Sequence, residues 1–323
     1  MSKKIYITRR IPEAGLKLLR EKGIEFDMGT SKLPPSKKFI IKKLKKYPYD
    51  GVISFLTDHI DAEVFDACPK ATVIANFSVG FNNIDLEEAK KRAIAVSNTP
   101  GTSGTAVAEH AVVLMLALTT RLVEGDKFIR SGKYKGWDPE LLLGTDMKGK
   151  IIGLIGSGDI GSRVAHILHS GFGVNILYSD MNQNITLEQE TGAIKKETAD
   201  ILREADIISL HVPLLPSTTH LINKDSLATM KSTALLINTS RGPVVDENAL
   251  VDALRRGVIA GAGLDVLEFE PKLAKGLAKL SNVVLTPHIA SSRTTARNMM
   301  AEIVCKNIIA QFETGNVLNS AVK

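Results

Sequence analysis

One glycine-rich turn limits what this chain can fold into more than any other feature of its sequence. Residues 156–161 have the spacing G-x-G-x-x-G, follow the apolar run Ile151–Ile155, and open a predicted helix over Asp159–Gly171. A strand, this turn and a helix in that order bind the phosphates of a dinucleotide, because the free N–H groups at the helix start attract anions. The sequence therefore predicts a parallel sheet covered by helices, with a dinucleotide site at this turn.

Each of the three glycines has its own expected role. Gly156 permits the tight turn, Gly158 leaves no side chain in the way of the pyrophosphate, and Gly161 lets the helix pack close to the strand. The alternative is a glycine-rich turn without a ligand, followed by an incidental acidic residue.

The acidic residue Asp180 favours NAD over NADP. It lies 19 residues beyond Gly161, at the end of the next predicted strand. A carboxylate at this spacing accepts hydrogen bonds from both hydroxyls of the adenosine ribose. It also repels a 2′-phosphate, and residues 181–190 contain no arginine or lysine to hold one.

Strands alternate with helices twice along the chain, with a change of pattern near residue 100. A chain of 323 residues is long enough for two domains of ~100–200 residues each. Such alternation predicts mostly parallel sheets. In the first part we expect strands at Lys4–Thr8, Gly51–Ser54, Thr72–Ala75 and Ile94–Ser97, and helices at Pro12–Lys22, Ser36–Lys46, Ala62–Ala67 and Leu86–Arg92.

The second part begins with one long predicted helix, from Ser103 to about Arg130, and the chain ends with an amphipathic helix over Thr294–Thr314. Continuous apolar strands between them indicate a sheet buried on both faces. We expect these strands at Lys150–Ile155, Val174–Tyr178, Asp206–Leu210, Thr233–Asn238, Ala260–Asp265 and Val283–Thr286.

Composition excludes several other classes of protein. The two cysteines, Cys68 and Cys305, lie far apart, which argues against a disulfide framework or a cysteine zinc cluster. The longest apolar run, Ala111–Leu118, has eight residues, against ~18 for a membrane span. The start of the chain lacks the apolar core of a signal peptide. We expect a soluble, cytoplasmic protein that does not contact membranes.

The net charge of +6 is concentrated at the start of the chain. Residues 1–50 hold 14 Lys or Arg and 5 Asp or Glu, a net of +9, so the remaining 273 residues carry −3. The lysines cluster in Lys37–Lys46, around Ile40, Ile41 and Leu44 on one helical face. Considered alone, such a helix is typical of a surface that binds membranes or nucleic acids. As a helix between two strands, it reads as a solvated outer face, and no nucleic-acid partner is expected.

Three polar side chains follow predicted strands of the second part. Arg241 follows the strand that ends at Asn238, Glu270 comes soon after the strand that ends at Asp265, and His288 follows the last strand. Ligands bind at the carboxyl ends of strands in open α/β sheets. Three strand ends therefore bring an arginine, a glutamate and a histidine to one edge of the predicted sheet, where a ligand could bind.

Over essentially its whole length the chain resembles the D-isomer-specific 2-hydroxyacid dehydrogenases. Within that family it is most similar to the branch of glyoxylate/hydroxypyruvate reductases and 2-ketogluconate reductases. The resemblance implies a Rossmann NAD-binding domain and a flavodoxin-like substrate domain, both doubly wound, with a cleft between them. The segments that carry it are Asn76–Asp85, Gly104–His110, the glycine turn, Asn238–Gly242, Gly263–Val266 and Pro287–Ala290, with Lys135–Pro139 supporting the branch.

The resemblance also implies a role for each catalytic residue. Arg241 would pair with the substrate carboxylate, which the backbone N–H groups of Val79 and Gly80 would also hold. His288 would donate a proton to the 2-oxo group of a small acid as hydride arrives from NADH, and Glu270 would orient the imidazole. The product would be the D-2-hydroxy acid.

Domain limits and cofactor contacts follow from the same resemblance. The substrate domain would comprise 1–99 and 289–323, the dinucleotide domain 100–288, and the 103–130 region would form a homodimer interface. Asp265 would hold the nicotinamide carboxamide, and no metal is expected. The implied cofactor-binding residues are Gly156, Ser157, Gly158, Asp159, Ile160, Gly161, Asp180, His211, Val212, Pro213, Thr218, Thr239, Ser240, Arg241, Asp265, His288 and Ala290.

Several alternatives remain open at the level of sequence. An NADH-sensing corepressor with this fold would keep the same catalytic residues, and relatives acting on phosphoglycerate, phosphonate or formate share the motifs. His166 and His169 read as ordinary helix residues rather than metal ligands, and His110 reads as a packed, hydrogen-bonded residue. Two roles fit Trp137 equally well. It could form a wall of a substrate site, reaching into a neighbouring subunit, or it could be an anchor at the surface or at an interface.

Overall fold

The computed structural model describes residues 2–322 and divides the chain into two units. Unit 1 comprises Met1–Ser103 and Ser292–Lys323, and unit 2 comprises Gly104–Ser291. These limits differ by three or four residues from the predicted 1–99 with 289–323 and 100–288. The assignment of substrate and dinucleotide roles to the units stays a prediction at this point.

Unit 1 contains a five-stranded parallel sheet in the order β2-β1-β3-β4-β5, one of the two common doubly wound orders. The alternation of strands and helices predicted a parallel sheet, and this is confirmed. One strand was not predicted, β2, because its residues alternate between exposed and half-buried at the sheet edge and carry no apolar run. The strands are β1 (Lys4–Ile7), β2 (Glu25–Met28), β3 (Gly51–Phe55), β4 (Val73–Phe77) and β5 (Ala95–Ser97).

Side-chain caps begin several of the unit 1 helices. Ser36, Asp61 and Asp85 each accept a hydrogen bond from a backbone N–H in the first turn of the following helix. In the helix capped by Ser36, Ile40 and Leu44 are buried, while Lys38 and Lys42 are exposed and Lys37 and Lys43 are half-buried, as expected for a solvated outer face. The helices are α1 (Glu13–Glu21), α2 (Lys37–Leu44), α3 (Ala62–Asp66), α4 (Leu86–Lys91) and, at the end of the chain, α12 (Thr294–Thr314).

Unit 2 contains a seven-stranded parallel sheet in the order β12-β11-β10-β9-β6-β7-β8. Counted from its own first strand, this is the Rossmann order 3-2-1-4-5-6 with one further strand. The two-residue strand β8 was not predicted, because both of its side chains are exposed. The strands are β6 (Ile151–Ile155), β7 (Asn175–Ser179), β8 (Ile194–Lys195), β9 (Ile207–Leu210), β10 (Leu235–Asn238), β11 (Gly261–Leu264) and β12 (Val283–Leu285).

The single long helix predicted from Ser103 to Arg130 is wrong. Two helices occupy this stretch, bent by 60° at a break where Arg121 has left-handed backbone angles (φ +54°). No glycine or proline marks the break, so periodicity alone did not show it. The helices of unit 2 are α5 (Gly104–Thr119), α6 (Leu122–Arg130), α7 (Asp159–Phe172), α8 (Ile185–Thr191), α9 (Thr198–Glu204), α10 (Lys224–Thr229) and α11 (Glu247–Arg256).

Apolar side chains cover both faces of the unit 2 sheet. One buried cluster joins the strands to α9, α10 and α11, and a second joins them to α5 and α7. Among the described residues no single helix has the length and apolarity of a membrane span; α5 and α6 reach them only as the bent pair. Most of α5 is buried inside unit 2.

Candidate active site

The glycine turn follows β6 and has the backbone geometry that only glycine tolerates. Gly156 has φ +98°, and a Cβ there would lie 2.6 Å from the carbonyl oxygen of His211. A Cβ on Gly161 would overlap the carbonyl oxygen of Gly156. A Cβ on Gly158 would meet nothing within 4 Å, and no side chain caps α7 at this residue. The start of α7 is therefore open to an anionic ligand.

Asp180 is joined directly to this turn. It comes immediately after β7, and one carboxylate oxygen accepts hydrogen bonds from the N–H (2.7 Å) and hydroxyl (3.1 Å) of Ser157. Partial burial of Asp180 disfavours its charge, but the hydrogen bonds from Ser157 and from the backbone of Met181 and Asn182 together outweigh this and hold the pKa below its usual value. An ionised carboxylate is thus fixed beside the glycine turn.

A lysine beyond residues 181–190 also lies near the end of β7. Lys195 in β8 pairs with Tyr178 of β7, and its ammonium donates to the carbonyl oxygen of Met181 (3.4 Å). Because β8 was not predicted, sequence reasoning missed this positive charge.

Arg241 is held in a turn stabilised by a side chain from the preceding strand. The amide of Asn238 donates to the carbonyl oxygen of Arg241 (2.9 Å) and its oxygen accepts from the N–H of Ser240 (3.0 Å). Burial lowers the pKa of the guanidinium, and the nearby charge of Glu270 opposes this effect. A guanidinium keeps its charge in proteins, so Arg241 is suited to bind a carboxylate.

The imidazole of His288 contacts the carboxylate of Glu270. Nδ1 of His288 lies 2.9 and 3.1 Å from the two carboxylate oxygens. Burial raises the pKa of Glu270, but the hydrogen bond and charge of His288 outweigh it, so that the pKa is below its usual value. The contact occupies Nδ1 and leaves Nε2 for proton transfer to a ligand.

The backbone of His288 has left-handed angles (φ +54°), which cost free energy for a residue with a Cβ. Its N–H donates to the carbonyl oxygen of Asp265 (2.8 Å). The carboxylate of Asp265 accepts hydrogen bonds from the hydroxyl of Thr286 (2.6 Å) and from the N–H groups of Ile289 and Ala290 (2.8 Å each). The turn that carries the imidazole is therefore fixed on both sides by one buried residue.

His110 completes this cluster. Its Nε2 lies 3.0 Å from the hydroxyl of Thr286 and 3.4 Å from the carboxylate of Asp265. The prediction that His110 is a packed, hydrogen-bonded residue is confirmed. The predicted contact of Asp265 with the nicotinamide carboxamide stays a prediction, and its side chain is fully buried under protein donors.

The remaining predicted cofactor residues follow β9 and β10. His211 is hydrogen-bonded to Ser209 (2.9 Å), and burial lowers its pKa to about 4, so it is neutral at pH 7. The hydroxyl of Thr218 donates to the carbonyl oxygen of Pro213 (2.7 Å). The hydroxyl of Thr239 is buried without a partner in residues 2–322. This orphaned hydroxyl and the open start of α7 both fit a dinucleotide ligand. Val212 follows β9, Ser240 follows β10, and Ala290 follows β12.

In unit 1 the predicted carboxylate-binding loop follows β4. The carbonyl oxygens of Val79 and Gly80 accept hydrogen bonds from the side chains of Asn98 (2.6 Å) and Asn76 (2.9 Å), respectively. In the described part of the chain no hydrogen bond from the N–H of Val79 or Gly80 is found. Their role toward a substrate stays a prediction.

His166 and Trp137 lie apart from the groups described above. His166 pairs with Glu190 (3.1 Å), and within residues 2–322 no three His, Cys, Asp or Glu side chains are grouped as metal ligands. The side chain of Trp137 is 83% exposed, and α6 has no buried residue. We call the exposed side chains Leu122, Ile129, Tyr134 and Trp137 the α6 apolar surface.

A Rossmann-order sheet, an open glycine turn and a histidine–glutamate pair define a dehydrogenase that uses a dinucleotide. The model of the "D-isomer specific 2-hydroxyacid dehydrogenase, NAD binding domain" matches residues 112–290, more than half of the chain. The chain belongs to this family, and it is an oxidoreductase of 2-hydroxy acids with a nicotinamide cofactor.

Relatives of known name resemble the whole chain. It is 46% identical over 319 residues to a glyoxylate reductase of Korarchaeum cryptofilum, covering 98% of this chain and 95% of that protein. It is 47% identical over 324 residues to a glyoxylate reductase of Pyrococcus horikoshii, with the same coverage. A crystal structure of an NADPH-dependent glyoxylate/hydroxypyruvate reductase from Sinorhizobium meliloti, in complex with NADP and malonate, superimposes with a TM-score of 0.86. It is 31% identical, covering 99% of this chain and 97% of that one.

Proposed function

We propose that this enzyme uses NADH to reduce glyoxylate, hydroxypyruvate or a similar small 2-oxo acid to the D-2-hydroxy acid. The observation that carries the proposal is the 2.9 Å contact between Nδ1 of His288 and Glu270, at the same sheet edge as the Arg241 turn. The names of the two archaeal relatives support glyoxylate as a substrate.

The bound cofactor supplies hydride to C2 of the acid, and the protein supplies orientation and a proton. Arg241 binds the substrate carboxylate through its planar fork of N–H groups. His288 donates the Nε2 proton to the 2-oxo oxygen, which becomes the hydroxyl. Glu270 stabilises the imidazolium before the transfer and keeps the ring in its orientation. Solvent then reprotonates His288, so the net reaction consumes one proton and one hydride.

NAD is the proposed physiological cofactor because Asp180 is ionised beside the glycine turn. Its carboxylate would repel the 2′-phosphate of NADP. Lys195, near Met181, supports the opposite choice, as does the NADPH dependence of the Sinorhizobium relative. The carboxylate is bonded to the turn itself and therefore lies closer to the expected phosphate-binding residues than the lysine does.

A homodimer through the 103–130 region is also proposed. The α6 apolar surface is the observation that supports it, since large exposed apolar side chains often mark an interface. Leu122 and Ile129 lie on α6, and Tyr134 and Trp137 lie in the segment that follows it. Sedimentation of the wild type should give the mass of a dimer. Ile129→Glu should shift it toward the monomer, whereas Ile185→Glu, at a comparably exposed position outside this surface, should not. A monomeric wild type would contradict the proposal.

The central test is NADH oxidation with glyoxylate, hydroxypyruvate, pyruvate and 2-ketogluconate. His288→Asn should lose turnover by about 10²-fold or more while still binding NADH. His166→Asn is the matched control, because its half-exposed ring also pairs with a glutamate in unit 2. Normal turnover of His288→Asn would remove this residue from the mechanism.

The same panel, extended by phosphoglycerate, phosphonate and formate with NAD, separates the rival functions. A wild type that binds NADH but reduces no acid would favour a NADH-sensing corepressor. Oxidation of phosphoglycerate, phosphonate or formate with NAD, in place of 2-oxo acid reduction, would favour the corresponding branch of the family.

A further inference from the structure

A pair of glutamates outside the catalytic group clamps the loop that carries Glu270. One carboxylate oxygen of Glu247 accepts a hydrogen bond from the N–H of Glu268 (2.8 Å), and the other accepts from the N–H of Ala274 (3.0 Å). Glu247 is 2% exposed and lies at the first position of α11. Its carboxylate thus bonds both ends of residues 268–274, the segment that contains Glu270.

Glu268 in turn accepts a hydrogen bond from Glu247, and it has a second partner in His220. One oxygen of its carboxylate accepts from the N–H of Glu247 (3.0 Å), and the other lies 2.7 Å from Nε2 of His220. Only 9% of the Glu268 side chain is exposed, although a lone carboxylate is rarely buried. His220 follows the segment that contains Thr218 and also binds the chain near Arg241, since its N–H donates to the carbonyl oxygen of Pro243.

The backbone contact next to Arg241 leaves little freedom for the same loop. Gly242 is buried, and a Cβ at this position would overlap the carbonyl oxygen of Leu267. Leu267 in turn donates its N–H to the carboxylate of Glu270 (3.1 Å). The turn that carries Arg241 and the loop that carries Glu270 are therefore packed backbone against backbone, with Glu268 bonded across their junction.

We propose that Glu268 is a positioning residue for the reaction: by holding His220 and the start of α11 against loop 267–274, it fixes the Glu270 carboxylate on the His288 imidazole. The inference rests on the proposed function of His288 and Glu270. Glu268 itself acts only through Glu270. A glutamine in its place keeps the shape but has one acceptor oxygen and no charge. It can keep both contacts only by donating its amide N–H to Nε2 of His220, so weaker neutral hydrogen bonds replace those of the carboxylate.

The test is a double-mutant cycle of Glu268→Gln and Glu270→Gln, with kcat and KM measured over a range of pH. Glu268→Gln should lower kcat about tenfold, since small displacements of catalytic groups have effects of this size or larger. The KM for NADH should change less than twofold. Because the imidazolium loses its partner, the fall of the rate at high pH should begin at lower pH in Glu268→Gln and in Glu270→Gln. In the Glu270→Gln background, Glu268→Gln should have little further effect.

Controls separate positioning from general damage. Glu204→Gln, at a half-exposed glutamate of unit 2 that pairs with Lys196, should leave kcat unchanged. If Glu268→Gln does not fold, His220→Ala takes its place in the cycle, since His220 is half-exposed and supplies one of the two contacts. Additive effects in the cycle, or an unchanged pH profile, would overturn the inference. A wild type without activity toward any 2-oxo acid would instead overturn the proposed function.

Discussion

The carboxylate of Asp265 accepts a hydrogen bond from the N–H of Ala290 at 2.8 Å, two residues beyond His288, the proposed proton donor. Asp265 also accepts the N–H of His288 on its carbonyl oxygen. Hydrogen bonds to Asp265, at the end of β11, thus hold the strained backbone of His288 both at the residue itself and two residues beyond it. The position of the imidazole depends on a carboxylate that it does not itself contact.

Asp265→Asn should therefore impair catalysis more than cofactor binding. An asparagine replaces one acceptor oxygen with an N–H group that faces a donor, which costs about 1–3 kcal/mol of stability. We expect kcat to fall by about 10²-fold and the dissociation constant of NADH to change less, measured by kinetics and by fluorescence titration. Asp252→Asn, at an exposed aspartate paired with Arg256, is the control. If affinity for NADH falls and kcat does not, the direct carboxamide contact predicted from the sequence is the better account.

Gly242→Ala should destabilise unit 2 and slow turnover. The new methyl group would overlap the carbonyl oxygen of Leu267, and relief of such overpacking costs about 1–3 kcal/mol. Gly171→Ala in α7 is the matched control, because a methyl group there meets nothing within 4 Å. Thermal unfolding and kcat report the two effects. Equal melting temperatures for both variants would contradict the close approach at Gly242.

The stability of the cofactor-free enzyme should fall on mild acidification because of His211. Burial lowers the pKa of His211 from 6.5 to about 4, so the unfolded chain binds a proton there at a pH at which the folded chain does not. The loss begins as the pH falls through 6.5 and is complete near 4. Between pH 7 and pH 5 it amounts to at most about 2 kcal/mol. Urea unfolding at both values should show a smaller loss for His211→Gln; an identical loss would contradict the prediction.

Cofactor choice should depend on the opposed charges of Asp180 and Lys195. Asp180→Ala should weaken NADH binding by about tenfold, since it removes acceptors for the ribose hydroxyls, and should weaken NADPH binding much less. Lys195→Ala should act mainly on NADPH, if at all. Dissociation constants of both cofactors for the two variants provide the measurement. Equal losses of NADH and NADPH in Asp180→Ala would refute the proposed preference for NAD.

Local sequence signals predicted the parts of this molecule that depend on local backbone chemistry. The glycine turn at 156–161 and the polar residues after apolar strands could be placed because each signal lies within a few residues of the next. Most strand limits agreed to within two residues for the same reason. The exceptions, β2 and β8, are edge strands whose side chains need no apolar run.

Contacts between distant segments were beyond the sequence. Glu247 looks like an ordinary surface glutamate at a helix start, and its burial depends on N–H donors of Glu268 and Ala274, more than 20 positions away. The N–H groups of Ile289 and Ala290, which donate to the Asp265 carboxylate, are also more than 20 positions away from it. The break at Arg121 has no local marker, since a left-handed arginine is chosen by its surroundings and not by its own preference.

Unit 1 is built from both ends of the chain, with unit 2 inserted between them. Its helix α12 packs on α1 so closely that a Cβ on Gly15 would overlap the carbonyl oxygen of Ala301. During synthesis, residues 1–103 therefore leave the ribosome without the helix that covers their apolar residues, and they wait for nearly 200 further residues before α12 is made. The uninterrupted unit 2 can fold in the meantime, whereas the first part of unit 1 gains the cover of α12 only after residues 104–291 have been made.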